Sequence, residues 1–262
     1  MIEYLKESTF TVSEVIQKAW LVTKRNYFSI ATLCFLMFLT SNASGMMAFF
    51  LKDINKVLSL FMAALFVMFY FTINLSLLKY IFHLLDDDEN DVSIVSTLPT
   101  RQQIIRFLVA MCYFMLCIVG VYLVVILIGF PFIYTGIKMS IITNIAISVG
   151  TIAIFVTWVR ISFFSFFIID RNLPPFGSIK FSLAITKGNF TKILMLSLVL
   201  GGFYILYLLL SYLQWPVISF VVNVLSSFII VPLSNVALTI AYRKMMSEYK
   251  GEEEPDIIHN IV

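Results

Sequence analysis

The chain has 262 residues, 60% of them hydrophobic and only 13% charged, and carries a net charge of +3. A soluble domain is nearer 45–50% apolar and about 25% charged, so the composition excludes an ordinary soluble globular protein. So slight a positive balance gives no reason to expect a nucleic-acid partner. What remains is a polytopic membrane protein, in which the placement of charge matters more than its sum.

The opening residues MIEYLKESTF mix acids and bases and lead to no small-x-small cleavage site, so the first apolar run is expected to stay in the mature protein. Residues 11–26, TVSEVIQKAWLVTKRN, set Val12, Val15, Ile16, Ala19, Trp20 and Val22 near one face and Glu14, Gln17, Lys18 and Lys24 on the other. This predicts an amphipathic helix lying in the membrane interface, capped by Ser13, with Trp20 at headgroup level.

A hydrocarbon core of about 30 Å takes about 20 mainly apolar residues per helix. Six stretches reach that length: 27–51, 57–84, 104–134, 141–169, 193–213 and 217–242. Gly129-Phe130-Pro131 should end or bend the third, and Pro232 should kink the sixth. The runs are continuous rather than alternating, which argues against a β-barrel. Cys34, Cys112 and Cys117 all fall inside these runs and form no CxxC. They read as reduced, buried, small hydrophobes.

Before the fifth run, residues 174–189 repeat the entry pattern. Pro174-Pro175 opens a short helix with Phe176, Ile179 and Leu183 set against Lys180 and Lys187, and Thr186-Lys187-Gly188-Asn189 closes it. Gly188 suits a positive φ at that helix end. Thr23-Lys24-Arg25-Asn26-Tyr27 aligns with Thr186-Lys187-Gly188-Asn189-Phe190, and Ile16 falls on Ile179. Residues 92–98, followed by Pro99-Thr100-Arg101, make a poorer copy before the third run. The expected fold is therefore all-α: six transmembrane helices arranged as three hairpins, each preceded by a cytoplasmic interfacial helix. One membrane domain would span 1–250, with pseudo-repeats at about 11–90, 91–170 and 171–250. A polar tail, 251–262, would follow.

Orientation comes from lysine and arginine. With Arg160 set aside, the loops after the first, third and fifth runs hold only Lys52, Lys56 and Lys138, and the other fourteen basic residues lie on the opposite side. The positive-inside rule puts both termini and the in-plane helices in the cytoplasm. There Trp20, Lys24, Arg25, Lys180 and Lys187 would grip anionic headgroups.

The stretch from Trp158 to Leu200 carries Arg160 inside an apolar run, Asp170 near its end, the proline-opened helix and then Thr186-Lys187-Gly188-Asn189-Phe190. In this it resembles the YciC-like polytopic membrane proteins, which are similar in turn to the membrane domain of some bacterial glycerophosphodiester phosphodiesterases. The resemblance implies a multi-pass protein of the bacterial inner membrane. It brings no activity with it, since the phosphodiesterase domain has no counterpart in this chain.

Arg160 is the most informative residue. A charge near the middle of a span costs about 2.5–3.5 kcal/mol on insertion scales, so it must face the bundle, a wet cavity or a lipid phosphate. Asn74, Ser76, Asn223, Ser234, Asn235 and the carbonyls at the Pro232 kink are the candidate partners. Arg160, Asp170 and Asn235 form the candidate ligand or headgroup site. The run Asp86-Asp87-Asp88-Glu89-Asn90-Asp91 contains a DDxxD pattern of the kind that holds magnesium-diphosphate, but no second acidic motif completes it. As a calcium loop it puts Asp91 where glycine is needed. It reads as a solvated loop. No nucleophile elbow, zinc-protease, P-loop or dinucleotide motif occurs. Catalytic residues, metals and cofactors are therefore not expected. The sequence supports a non-enzymatic inner-membrane protein, a scaffold or partner in envelope organisation that meets lipids and either a protein partner or a second copy of itself. The alternative is a small transporter or lipid-handling protein with its polar site at Arg160.

Overall fold

The computed structural model describes residues 10–86, 94–135 and 138–249. Among them there are only helices and turns: α1 (Val12–Arg25), α2 (Tyr27–Leu51), α3 (Lys56–Asp86), a 3₁₀ turn (Ile94–Thr97), α4 (Arg101–Gly129), a 3₁₀ stretch (Phe130–Thr135), α5 (Met139–Ile161), α6 (Phe164–Asp170), α7 (Pro175–Thr186), α8 (Phe190–Tyr212), α9 (Pro216–Leu225), a π-helical segment (Ser226–Ile230) and α10 (Val231–Glu248). Six helical stretches are long and apolar enough to cross a membrane: Tyr27–Leu51, Lys56–Asp86, Arg101–Phe132, Met139–Asp170, Phe190–Tyr212 and Pro216–Glu248. The protein is thus all-α and multi-pass. Asp87–Asp91 of the acidic run and the tail 251–262 lie outside the described residues.

The chain divides into two compact units, one from residues of 1–104 and 191–249, the other centred on 105–190. In the first unit α2 and α3 pack along each other and are tied by hydroxyls: Ser44 Oγ donates to the Ala63 carbonyl at 3.4 Å and Ser59 Oγ to that of Ala48 at 3.0 Å. Inside a bilayer, bonds of this kind hold helices together where hydrophobic burial gives no advantage over lipid. Helix α1 packs on α10, and a stripe of α1 at fourfold spacing, Val15, Ala19 and Thr23, is buried, as are Val236, Ala237, Ile240 and Ala241 of α10. The small residues let the two backbones come close. The amphipathic period of α1 is as expected, but its buried face is Val15, Ala19 and Thr23, while Trp20 stays 49% exposed and Lys24 and Arg25 are exposed. Ser13 is no cap: it is the second residue of the helix, whose N-cap is Thr11 with no side-chain bond.

Two ion pairs fix this unit at one end. The Arg243 guanidinium lies 4.8 Å over the Phe82 ring, and its Nη2 donates to both Asp86 oxygens at 2.9 and 2.6 Å. Lys244 donates to Glu14 and so joins α10 to α1. This bond and the lysine's charge hold the Glu14 carboxyl below its ordinary value. Because the folded-state pKa is the depressed one, the stabilisation is complete above the ordinary glutamate value of about 4.3 and is lost as pH falls through the lower folded value. Hydrogen exchange at α1 amides should accelerate in that acidic window, and Glu14→Gln should remove the pH dependence. Equal protection of the wild type at pH 3 and pH 6 would contradict it.

Helix ends follow local chemistry. Thr100-Arg101-Gln102-Gln103 forms a reciprocal capping box: the Thr100 N–H donates to Gln103 Oε1 at 2.9 Å and the Gln103 N–H to Thr100 Oγ1 at 3.3 Å. Helix α4 gives way to 3₁₀ at Gly129, just before Pro131, as its sequence foretells. Near Pro232 the sixth span widens into the π segment rather than simply bending. Proline has no N–H to donate and its ring crowds the carbonyl four residues back, and one extra residue in the turn relieves both. Phe228, carried on that bulge, stacks on Phe35 of α2 at 6.0 Å.

Candidate functional site

The second unit is built around a break in the fourth span. The sequence reads as one helix there, yet α5 stops at Ile161 and α6 begins at Phe164. No proline or glycine causes the interruption. It is held open by α7, whose Ser178, Ser182 and Thr186 form a fully buried polar stripe. Ser182 Oγ donates to the Arg160 carbonyl at 2.8 Å and accepts the Phe163 N–H at 3.1 Å. A hydroxyl can do both at once. Those two backbone groups are ones that an unbroken helix would have used internally. Thr186 Oγ1 lies 3.3 Å from the same Arg160 carbonyl and 2.8 Å from the Ser182 carbonyl. Ser162 Oγ takes the Val159 carbonyl at 2.9 Å. The break is therefore a satisfied junction between α5, α6 and α7.

The link from α6 to α7 is equally determined. The Leu173 N–H returns to the Phe167 carbonyl at 3.3 Å, across Asn172 in the left-handed region at φ 50. Asparagine tolerates that conformation better than most residues. Arg106 of α4 donates to the Asn172 carbonyl and ties the turn down. At the other end of α7, Gly188 has φ 82 and releases the chain into α8, as the Thr-Lys-Gly-Asn run predicts. Phe163 and Phe167 are fully buried, and Phe107 stacks on Phe164 at 5.5 Å.

Around this junction lies a cavity of about 510 Å³, lined by Tyr113, Leu116 and Cys117 of α4, Val156, Thr157, Arg160 and Ile161 of α5, and Phe176, Ile179 and Leu183 of α7. Its walls are almost wholly apolar. Among the described residues that line it, Arg160 carries the charge. The guanidinium reaches α7, where Nη2 donates to the Leu183 carbonyl at 3.3 Å. Thr157 directs its hydroxyl to the Ala153 carbonyl at 2.8 Å. At one edge the Phe176 ring meets Tyr113 edge-on at 6.0 Å and carries the Lys180 ammonium at 5.3 Å.

Several sequence expectations change here. The Leu183 carbonyl was not among the partners expected for Arg160. Ser76, Ser234 and Asn235 instead bond to carbonyls of their own helices, Thr72, Ile230 and Val231, and the Asn223 carbonyl accepts from Ser227. A partner three or four residues back on the same helix is always within reach, which is why polar side chains in spans so often use it. Asp170 sits at the end of α6, 3.9 Å from Arg171, and does not line the cavity. Asn235 belongs to the first unit. Lys187 is exposed and Lys180 only partly so. Cys34 is buried as expected, but Cys112 and Cys117 are exposed on the protein surface. An apolar span does not need protein on every side when lipid can serve. The residues that sequence reasoning missed are Ser182 and Thr186. Their signal was the Ser178-Ser182-Thr186 spacing, which puts three hydroxyls on one helical face.

Among the described residues no cluster of three or more histidine, cysteine, aspartate or glutamate side chains could hold a metal ion. No family model matches the chain, and neither a curated protein nor a solved structure matches it.

Proposed function

We propose that this is a non-enzymatic multi-pass protein of the bacterial inner membrane that handles lipid, holding an anionic amphiphile in the cavity at Arg160. The observation that carries the reading is a permanent cation, Arg160, set among the apolar walls of a cavity large enough for a ligand. Arginine stays charged at any physiological pH and presents its donors as a fork that suits carboxylate and phosphate. A charge so placed in a span marks a substrate or ligand path by default.

The surroundings fit that role. Basic residues gather on one side of the spans, which the positive-inside rule reads as cytoplasmic termini. Under the alignment of residues 23–27 with 186–190, the buried stripe Val15/Ala19/Thr23 of α1 coincides with Ser178/Ser182/Thr186 of α7. We read both helices as interfacial connectors that also dock on spans, with Trp20, Lys24, Arg25, Lys180 and Lys187 toward headgroups. The pattern shared with YciC-like proteins supports the same compartment.

One observation favours a second reading, a scaffold for envelope organisation working through a protein partner or a second copy: the hydroxyl staple at the break makes α5, α6 and α7 a rigid joint. The two separate on lipid content. The protein purified in mild detergent should retain anionic phospholipid in excess over the membrane extract, and Arg160→Gln should lose that excess, as read by mass spectrometry of bound lipids. Equal lipid content in both proteins would leave the scaffold.

A further inference from the structure

Resting on the lipid-handling reading, we infer that the cavity beside α7 is filled sideways from the bilayer. One acyl chain of a bilayer phospholipid enters through a window between α4 and α5 and lies against the buried wall behind it.

Three features place the window. First, α4 is pinned to its neighbours at two heights. Near its start Arg106 donates to the Asn172 carbonyl and Phe107 stacks on Phe164 at 5.5 Å. Further along, the Tyr122 ring lies against α5 at Gly150, where a Cβ would stand 3.3 Å from it. These pins are about 22 Å apart along the helix, at about 1.5 Å per residue. The backbones of α4 and α5 otherwise approach each other only sparsely.

Secondly, exposure is graded across the cavity. Ile161, Ile179 and Leu183 are 3, 5 and 9% exposed and form its back wall. Leu116, Phe176 and Val156 are 65, 49 and 37% exposed and stand at its mouth, where Cys117 is exposed too. The cavity is therefore a recess with an open side, and Leu116 of α4 and Val156 of α5 are the two jambs.

Thirdly, both jambs lie within candidate spans. They run on into the outward apolar surface of the same helices, where Val119, Leu123 and Ile152 are 53, 55 and 64% exposed. In a multi-pass protein the medium against that surface is hydrocarbon. A recess opening onto it is best filled by the same material. Left empty, its walls forfeit dispersion contacts, and a water there finds few polar groups to bond. About 510 Å³ is the size of a site for one compact ligand, so one chain enters and the rest of the lipid stays in the bilayer.

The test is to map where a chain can reach. The full-length protein in nanodiscs would carry phosphatidylglycerol with a photoreactive diazirine on one acyl chain. After irradiation, adducts are located by mass spectrometry of the peptides. Lipid on the outer surface reaches Val119, Leu123 and Ile152 in any case. Adducts on Ile161, Ile179 and Leu183 require a chain inside. The expected result is both sets.

Val156→Trp narrows the window from α5 and should lower the inner adducts severalfold while leaving the outer ones unchanged, which also shows that the variant is folded. Leu116→Trp should do the same from α4. Adducts confined to the outer residues would overturn the inference. So would inner adducts that survive both tryptophan variants, or inner and outer adducts that fall together in both. If the inner adducts are missing while the purified protein still retains anionic phospholipid through Arg160, the window fails and the lipid-handling reading stands. If that retention is missing too, both fail.

Discussion

Replacing Ser182 with alanine is expected to destabilise the second unit by about 2–4 kcal/mol, because one side chain closes both backbone groups left open at the helix break. The Phe163 N–H loses its acceptor at 3.1 Å and the Arg160 carbonyl its donor at 2.8 Å. Each buried polar group deprived of its partner forfeits roughly 1–3 kcal/mol, and Thr186, at 3.3 Å from the same carbonyl, recovers only part of the second loss. Ser178→Ala supplies the control. Ser178 is just as buried and on the same stripe, but its hydroxyl serves its own helix through the Pro175 carbonyl at 2.7 Å. Removing it deletes a local bond and orphans nothing on another element. In thermal denaturation of the detergent-solubilised protein, Ser182→Ala should melt several degrees below the wild type and Ser178→Ala close to it. Equal shifts for the two would mean that the break is held by packing of Phe163 and Phe167 rather than by the hydroxyl.

That contrast also explains which parts of the fold were legible in the sequence. The six spans were, because a continuous apolar run of span length has few other uses. So were the Gly188 helix end and the stop at Gly129, where a residue's own backbone preference decides the outcome. The break at Ser162-Phe163 was not. Nothing local in WVRISFFSFF disfavours a helix, and the instruction lies twenty residues downstream in Ser182. Likewise the period of α1 was visible but not its partner, since Val15 and Ala19 suit lipid and α10 equally well. Arg160 stood out because a charge in a span needs a reason. Its bond to the Leu183 carbonyl was hidden, because a backbone acceptor leaves no mark in the side-chain sequence. The Thr100–Gln103 capping box could have been read, and gives α4 its start.

Arg160→Met should separate ligand from staple, since the two readings predict different outcomes. The side chain donates to the Leu183 carbonyl at 3.3 Å, and a hydrogen bond from a charged group is worth about 1.5–3 kcal/mol. Against that, removing a charge from a span relieves about 2.5–3.5 kcal/mol on insertion scales. These two terms leave a balance from about 0.5 kcal/mol against methionine to about 2 kcal/mol in its favour, in line with the general finding that apolar replacement of a buried charge is often neutral or stabilising. The junction itself is untouched, because Ser182 binds the backbone carbonyl of residue 160 and not its side chain. The variant should therefore melt close to the wild-type temperature while retaining severalfold less anionic lipid. An arginine kept at no benefit to stability is then best explained by what enters the cavity. A methionine variant that melts well below the wild type and holds the same lipid would reverse that conclusion, making the guanidinium a bolt between α5 and α7 and the cavity a packing gap beside it.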